Sequence, residues 1–274
     1  MNVRELIAKS ASWLSDRGSE SGRLEAELLL AHVLDVERLR LYLDADRPLV
    51  DHEVDAFREL IKRRARGEPV AYLTGTKEFY GIALEVTPDV LVPRPETELI
   101  VDRARALEPK RILEIGTGSG AIAVACAARL PEATIVATDI APEALAVARR
   151  NAESFADRIE FREGDLFEPV GDDERFDLIA TNPPYVAIGD AMPNVHDHEP
   201  HVALYAGADG LDIVRRLLAE APRYLVPGGT LLCEIADEQS AAVRELAEPH
   251  FAEIEFHADL AGMLRTLEAK TAAQ

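Results

Sequence analysis

The sequence predicts an α/β protein in which a seven-stranded, Rossmann-like sheet follows a small helical domain and a β-hairpin. Three observations carry this reading. Apolar residues in the first 70 positions recur at helical spacing. A short stretch of alternating β-formers then interrupts the helices. From Arg111 onward, short apolar runs alternate with amphipathic segments, the pattern of a parallel sheet covered on both faces. The expected division is 1–70 for the helical domain, 71–90 for the hairpin linker and 91–274 for the sheet domain.

In chain order, Val3, Leu6, Ile7, Ala11 and Leu14 mark the first helix. "RLEAELLLAHVL" (23–34) and "DHEVDAFRELIKRRA" (51–65) repeat the pattern, with "DRGSES" and "DADRPL" as turns between them. "AYLTGTKEFYGIALEVTP" (71–88) alternates and carries Gly75 and Gly81, which predicts the hairpin. The prolines of "LVPRPETE" (91–98) mark a constrained loop, and "ETELIVDRARAL" starts a helix. Five strands follow in "RILEIG", "ATIVATD", "IEFREGD", "FDLIATN" and "TLLCEI", with helices near 120–130, 142–154, 210–223 and 238–248. "AEIEFHADL" and "MLRTLEA" complete the seven strands.

Composition narrows the function. Hydrophobic residues make up 47%, enough for a sizeable core. No run reaches the roughly 18 apolar residues of a membrane span, and the N-terminus carries no apolar signal region, so a cytoplasmic, membrane-free protein is expected. Cys126 and Cys233 lie in apolar segments and read as buried free thiols, since a disulfide framework or zinc site needs more cysteines at closer spacing. Residues 1–85 hold 13 Lys and Arg against 16 Asp and Glu, and the remainder holds 17 against 34. A sheet domain this acidic repels phosphate backbones, so no direct DNA binding is expected.

"LEIGTGSGAIAVA" (113–125) combines a strand, a glycine-rich turn and a helix start. Gly116, Gly118 and Gly120 permit a tight turn and close approach of a ligand, and the helix N-terminus offers free N–H groups. Thr117 and Ser119 lie in the same turn. Asp139 ends the next strand, placed to accept both hydroxyls of a ribose. The pattern fits both a dinucleotide and S-adenosylmethionine, because Gly116, Gly118 and Ala121 also match the dinucleotide fingerprint. Gly120 and the acid at Glu114 lean toward the methyl donor. In "GDLF", Asp165 is a candidate acceptor for an adenine amino group and Leu166 a candidate to pack on the ring, although Leu166 alone reads as a buried apolar residue.

"FDLIATNPPY" places Asn182 at the carboxyl end of the fourth strand, where open α/β sheets bind ligands. Proline cannot continue a strand ladder, so Pro183 and Pro184 stop the strand and stiffen the backbone just beyond it. The Asn182 side-chain oxygen and the Pro183 carbonyl are two acceptors that would grip both hydrogens of an –NH2 group. That grip aims the nitrogen lone pair at a methyl group and favours a partly positive nitrogen in the transition state. Tyr185 would stack on a planar amide or base.

With these residues in place, the chain resembles a known family. "NPPY" after a "GTGSG" turn is similar to S-adenosylmethionine-dependent methyltransferases acting on planar amino groups. "RLEAELLLAHVL", "RRARGEPVAYLTGTKEFYG", "VLVPRPETE", "EPHVALYAGADGL" and "DLAG" resemble the release-factor glutamine methyltransferases, the HemK/PrmC family, over nearly the whole chain. The resemblance implies a class I methyltransferase domain behind a helical docking domain. It implies methylation of the Gln side-chain amide in the Gly-Gly-Gln motif of bacterial class-I peptide chain release factors, a protein methylation belonging to translation termination. It makes Asn182 and Pro183 the catalytic pair and puts Pro184 and Tyr185 in the substrate pocket. It places Gly116, Thr117, Gly118, Ser119, Gly120, Asp139, Asp165, Leu166 and Asn182 around the cofactor. Relatives can carry an aromatic residue where Leu166 stands, and the "EIADEQ" and "RTLEAK" stretches diverge from the family pattern.

"HDHEPH" (196–201) has the composition of a metal site, but ligation requires convergence on one point, and a mobile loop packing as a substrate lid is the expectation. "KRRAR" (62–66) reads as a solvated helix face. The competing functions are methylation of adenine amino groups in nucleic acid, methylation of a ribosomal-protein glutamine, and a non-enzymatic module that retains the cofactor fold.

Overall fold

The chain opens on a capping box. In this computed structural model, which describes residues 1–273, the Asn2 side chain accepts from the Glu5 N–H at 2.9 Å and Glu5 accepts from the Asn2 N–H at 3.1 Å. Both donors are satisfied as helix α1 (Val3–Ser15) begins. Helices α2 (Gly22–Leu34), α3 (Arg38–Leu43), α4 (Asp51–Arg64) and α5 (Val70–Thr74) follow. Their apolar stripes close over one core containing Leu6, Leu14, Leu29, Leu30, Phe57 and Ile61. The sequence pattern misses α3 because only Leu41 of its six residues is buried, which leaves no stripe to read.

The hairpin is shorter than expected. Residues 70–74 are helical, bracketed by Pro69 and by Gly75 at φ 72°. One helical turn is too short for apolar spacing to separate it from a strand. The strands are β1 (Thr76–Phe79) and β2 (Ile82–Glu85), joined by Tyr80 and Gly81 at φ 52° and 75°. Positive φ at both loop residues is the turn geometry that matches strand twist.

After α6 (Glu98–Leu107), the sheet is built from β3 (Arg111–Ile115), α7 (Ala121–Arg129), β4 (Thr134–Asp139), α8 (Pro142–Asn151), β5 (Ile159–Glu163) and β6 (Phe176–Thr181). Then come α9 (Pro193–His198), α10 (Asp212–Glu220), β7 (Leu225–Glu234), α11 (Ser240–Ala247), β8 (Glu253–Ala258) and β9 (Leu264–Lys270). The strand order is β5-β4-β3-β6-β7-β9-β8, with β9 antiparallel to both neighbours and the remaining pairs parallel. Side chains alternate across the sheet: Ile112, Ile135, Leu178 and Ala180 enter one core, and Leu113, Ile115, Val136 and Ile179 enter the other. Strand order reverses between β3 and β6, which opens a crevice at their carboxyl ends.

The chain divides into two units, residues 1–76 with 192–198, and residues 77–191 with 199 onward. The division splits "HDHEPH", whose first three residues end α9 while the rest belongs to the sheet unit. Residues 193–198 are therefore helical, and His201 starts a separate 3-10 turn, in place of the expected loop. Cys126 and Cys233 are buried free thiols, their ionisation pushed up by burial. Among the described residues, no helix is long and apolar enough to cross a membrane.

Candidate active site

The glycine turn leaves β3 and enters α7 with Gly116, Gly118 and Gly120 at φ 70°, 53° and 81°. A Cβ on Gly116 or Gly118 would meet nothing within 4 Å, so these two line open space. Gly116, Thr117, Gly118 and Ser119 all line the crevice, together with Glu114 and Asp139. Gly120 does not. A Cβ there would lie 3.2 Å from the Ala148 side chain, so this glycine serves the packing of α7 on α8. The turn is also tied down from behind: Asn151 donates to the Ser119 carbonyl at 2.8 Å and to the Glu85 carbonyl at 2.9 Å.

Asp139 accepts from the Gly118 N–H at 2.8 Å and from the Ala141 N–H at 2.9 Å. Each oxygen keeps capacity for a further donor. Burial raises its pKa against the pull of these backbone bonds. Glu114 is buried at the crevice floor, where desolvation pushes its pKa up to about 8 although the Thr117 hydroxyl donates to it at 2.6 Å. Asp165 and Leu166 line the same crevice. One Asp165 oxygen already accepts from Arg216 at 2.7 Å, and Leu166 sits at φ 49°, an uncommon conformation for a branched side chain.

Asn182, Pro183 and Pro184 line the crevice beside the glycine turn. Asn182 Nδ2 donates to Thr97 Oγ1 at 3.0 Å. The Thr97 hydroxyl donates to Glu234 Oε2 at 2.6 Å, and the Tyr185 hydroxyl donates to Glu234 Oε1 at 3.1 Å. Tyr185 itself lies outside the crevice lining, its ionisation pushed up by burial and by Glu234. Its carbonyl accepts from Gln239 Nε2 at 2.9 Å, which ties the Pro-Pro-Tyr segment to the turn before α11. Glu234 is 1% exposed, and burial raises its pKa to about 7.

Thr97, Glu234 and Gln239 are the site residues that sequence reading overlooks. Thr97 lies within "RPETE" and Gln239 in the turn of "EIADEQ", where no local signal marks them, whereas Glu234, a charged residue at the carboxyl end of β7, offered one. Glu199 is likewise committed, accepting from Arg94 at 2.6 Å and the Val92 N–H at 3.2 Å. No three His, Cys, Asp or Glu side chains among the described residues are placed to share a metal ion.

Residues 5–75 match the family model described as PrmC N-terminal domain, and residues 95–198 the one described as Methyltransferase small domain. The release factor glutamine methyltransferase of Geobacter sulfurreducens is 45% identical over 246 residues, spanning 88% of this chain and 86% of that protein. The one from Rhodopirellula baltica is 40% identical over 285 residues, spanning 98% and 96%. A solved methyltransferase from Pyrococcus furiosus superposes with a TM-score of 0.55 at 23% identity, over 77% of this chain and 98% of that one, a likeness of fold.

Proposed function

The chain belongs to the release factor glutamine methyltransferases, and from that membership we propose that its crevice takes S-adenosylmethionine and the Gln side chain of the Gly-Gly-Gln motif of class-I release factors. The observation that carries this reading is that Asn182 and Pro183 share one crevice with the glycine turn and Asp139. When bound, S-adenosylmethionine supplies a sulfonium-activated methyl group. The residues fit such a ligand. Open space over Gly116 and Gly118 admits its close approach, Asp139 has acceptor capacity for ribose hydroxyls, and the Glu114 carboxyl lines the same crevice as an acceptor for the ligand's amino group.

The chain's own contribution is position and electrostatics. A glutamine amide nitrogen is a poor nucleophile because its lone pair is delocalised into the carbonyl. In this reading, Asn182 Oδ1 and the Pro183 carbonyl accept its two N–H groups. These acceptors strengthen as the nitrogen becomes positive, so they favour the transition state over the ground state. Pro184 and Tyr185 hold the segment rigid. The helical unit docks the protein substrate, and the cytoplasm, where release factors work, is the assigned location.

The test is incubation with labelled methyl donor and separate candidate substrates, namely release factors, ribosomal proteins and adenine-containing oligonucleotides, followed by peptide mapping. One methyl on the Gly-Gly-Gln glutamine is expected. Label on adenine or on a ribosomal protein instead would overturn the assignment. Calorimetry should show binding of S-adenosylmethionine and its demethylated product, with no comparable binding of NAD.

A further inference from the structure

The hydrogen-bond chain behind Asn182 raises a question of orientation. A primary amide has two faces of similar shape, and only the oxygen face can accept from a substrate –NH2. Turned the other way, Asn182 would present its own N–H groups to the substrate's N–H groups. Something must bias the choice.

The Thr97 hydroxyl carries one hydrogen, and that hydrogen is committed to Glu234 at 2.6 Å. What remains on Thr97 Oγ1 toward Asn182 is a lone pair. A lone pair 3.0 Å away is matched by the amide NH2 and opposed by the amide oxygen. The direction of one hydrogen bond therefore dictates the direction of the next. Thr97 is 4% exposed, so water does not easily take the place of Asn182 or Glu234 at its hydroxyl. Glu234 is the origin of the polarity. It ends β7 at 1% exposure, its two oxygens accept from Thr97 and Tyr185, and among the described residues it forms no salt bridge. Burying a carboxylate in this way is costly to folding.

We propose that Thr97 and Glu234 are positioning residues that hold the Asn182 amide with its oxygen toward the crevice. The proposal rests on the reading of Asn182 as the substrate-amide acceptor. Thr97 acts through Asn182, and Glu234 acts through Thr97 and through its second partner, Tyr185. Tyr185 fills the second Glu234 oxygen, which couples the Pro-Pro-Tyr segment to the same carboxylate.

The experiment is single-turnover methyl transfer at saturating S-adenosylmethionine with full-length Thr97→Val, Thr97→Ser, Glu234→Gln and Glu234→Leu, each checked for cofactor affinity by calorimetry. Thr97→Val keeps the shape and removes the hydroxyl. Its rate should fall about tenfold or more, the factor carried by one oriented hydrogen bond, with cofactor affinity within about threefold of wild type. Thr97→Ser should restore the rate. Glu234→Leu removes the acceptor for Thr97 and should resemble Thr97→Val, while Glu234→Gln, whose amide can offer Thr97 either an acceptor or a donor, should fall between Glu234→Leu and wild type.

The decisive comparison is a double-mutant cycle. In an Asn182→Ala background, Thr97→Val should have no further effect on rate, because the group it orients is gone. A Thr97→Val enzyme with wild-type rate, a Thr97→Ser enzyme as slow as Thr97→Val, or losses that multiply in the double variant would each overturn the inference. The cycle is run on whichever substrate the wild type methylates. Failure of the release-factor assignment is thus seen in the wild type, and failure of the positioning role in the cycle.

Discussion

At the residue scale, Asn182 is the group whose removal should matter most for rate and least for fold. Asn182→Ala leaves the Pro183 carbonyl as the lone acceptor. By analogy with lost transition-state hydrogen bonds, the methyl-transfer rate should drop on the order of 100- to 1,000-fold. Cofactor affinity should change much less, because the glycine turn and Asp139 are untouched. Asn182→Asp keeps an acceptor and should retain more activity than alanine. A near-normal rate in single-turnover assays of Asn182→Ala would reduce this residue to a strand terminator. Buried carboxyls make a second residue-scale prediction. Glu114 and Glu234 have folded pKa values raised to about 8 and about 7 from an ordinary 4.5. Between the ordinary and raised values the folded state holds protons that the unfolded state has lost. Their contribution to stability is therefore fully present at low pH and disappears as pH rises through about 7 to 8. Glu114→Gln cannot ionise, so urea unfolding should show a smaller loss of stability across this range than in wild type. An unchanged slope would mean that Glu114 ionises normally in the fold.

At the element scale, the Pro-Pro-Tyr side of the crevice depends on loops that lie far apart in sequence. Gly210, at φ 73°, has no room for a side chain: a Cβ there would sit 2.2 Å from the Tyr185 carbonyl oxygen and 2.8 Å from Gln239 Nε2. The turn before α10, the Pro-Pro-Tyr segment and the turn before α11 therefore meet at one point. Gly210→Ala combines about 1–2 kcal/mol of left-handed backbone strain with displacement of that segment. Methyl transfer should slow markedly while S-adenosylmethionine binding persists, since none of the glycine turn is involved. Equal losses in both measurements would show that the two halves of the crevice are not separable. Elsewhere, α6 is tied to β9 by Arg103, which donates to the buried Glu268 at 2.8 Å. Removing Arg103 would leave that carboxylate short of its main partner, and Arg103→Ala should lower the unfolding midpoint more than any exposed arginine substitution does.

At the scale of the whole molecule, the helical unit and the sheet unit divide the labour proposed for them. Docking a folded protein takes surface that a single-residue crevice lacks. Deleting residues 1–70 should weaken methylation of an intact release factor by about tenfold or more, the equivalent of about 1.4 kcal/mol of docking. A short peptide carrying the Gly-Gly-Gln motif should be methylated at similar rates by both chains. Because α9 packs with the helical unit, binding of S-adenosylmethionine to the truncated chain is the control for folding. A truncated chain that handles the intact factor as well as the full chain does would end the docking role.

The sequence by itself determined the strands of the sheet and the glycine-turn side of the crevice, because both depend on local rules. Period-two and helical spacing mark strands and helices, glycines mark a turn that needs positive φ, and prolines mark where β6 stops. Gly116, Gly118, Asp139 and Asn182 follow from such rules, and all line one crevice. Local rules fail where the stripe is weak, as in α3, or where one helical turn imitates a strand, as in residues 70–74. Only the tertiary structure decided that Gly120 packs against α8, that Tyr185 points its hydroxyl at Glu234, and that Glu199 is occupied by Arg94. It also decided that Thr97, 85 residues before Asn182, and Glu234, 137 residues after Thr97, stand behind the same amide. The physical reason is that a hydrogen bond's direction depends on what its partner has already donated. That partner is chosen by how strands and loops come together in space, which no local pattern of residues encodes.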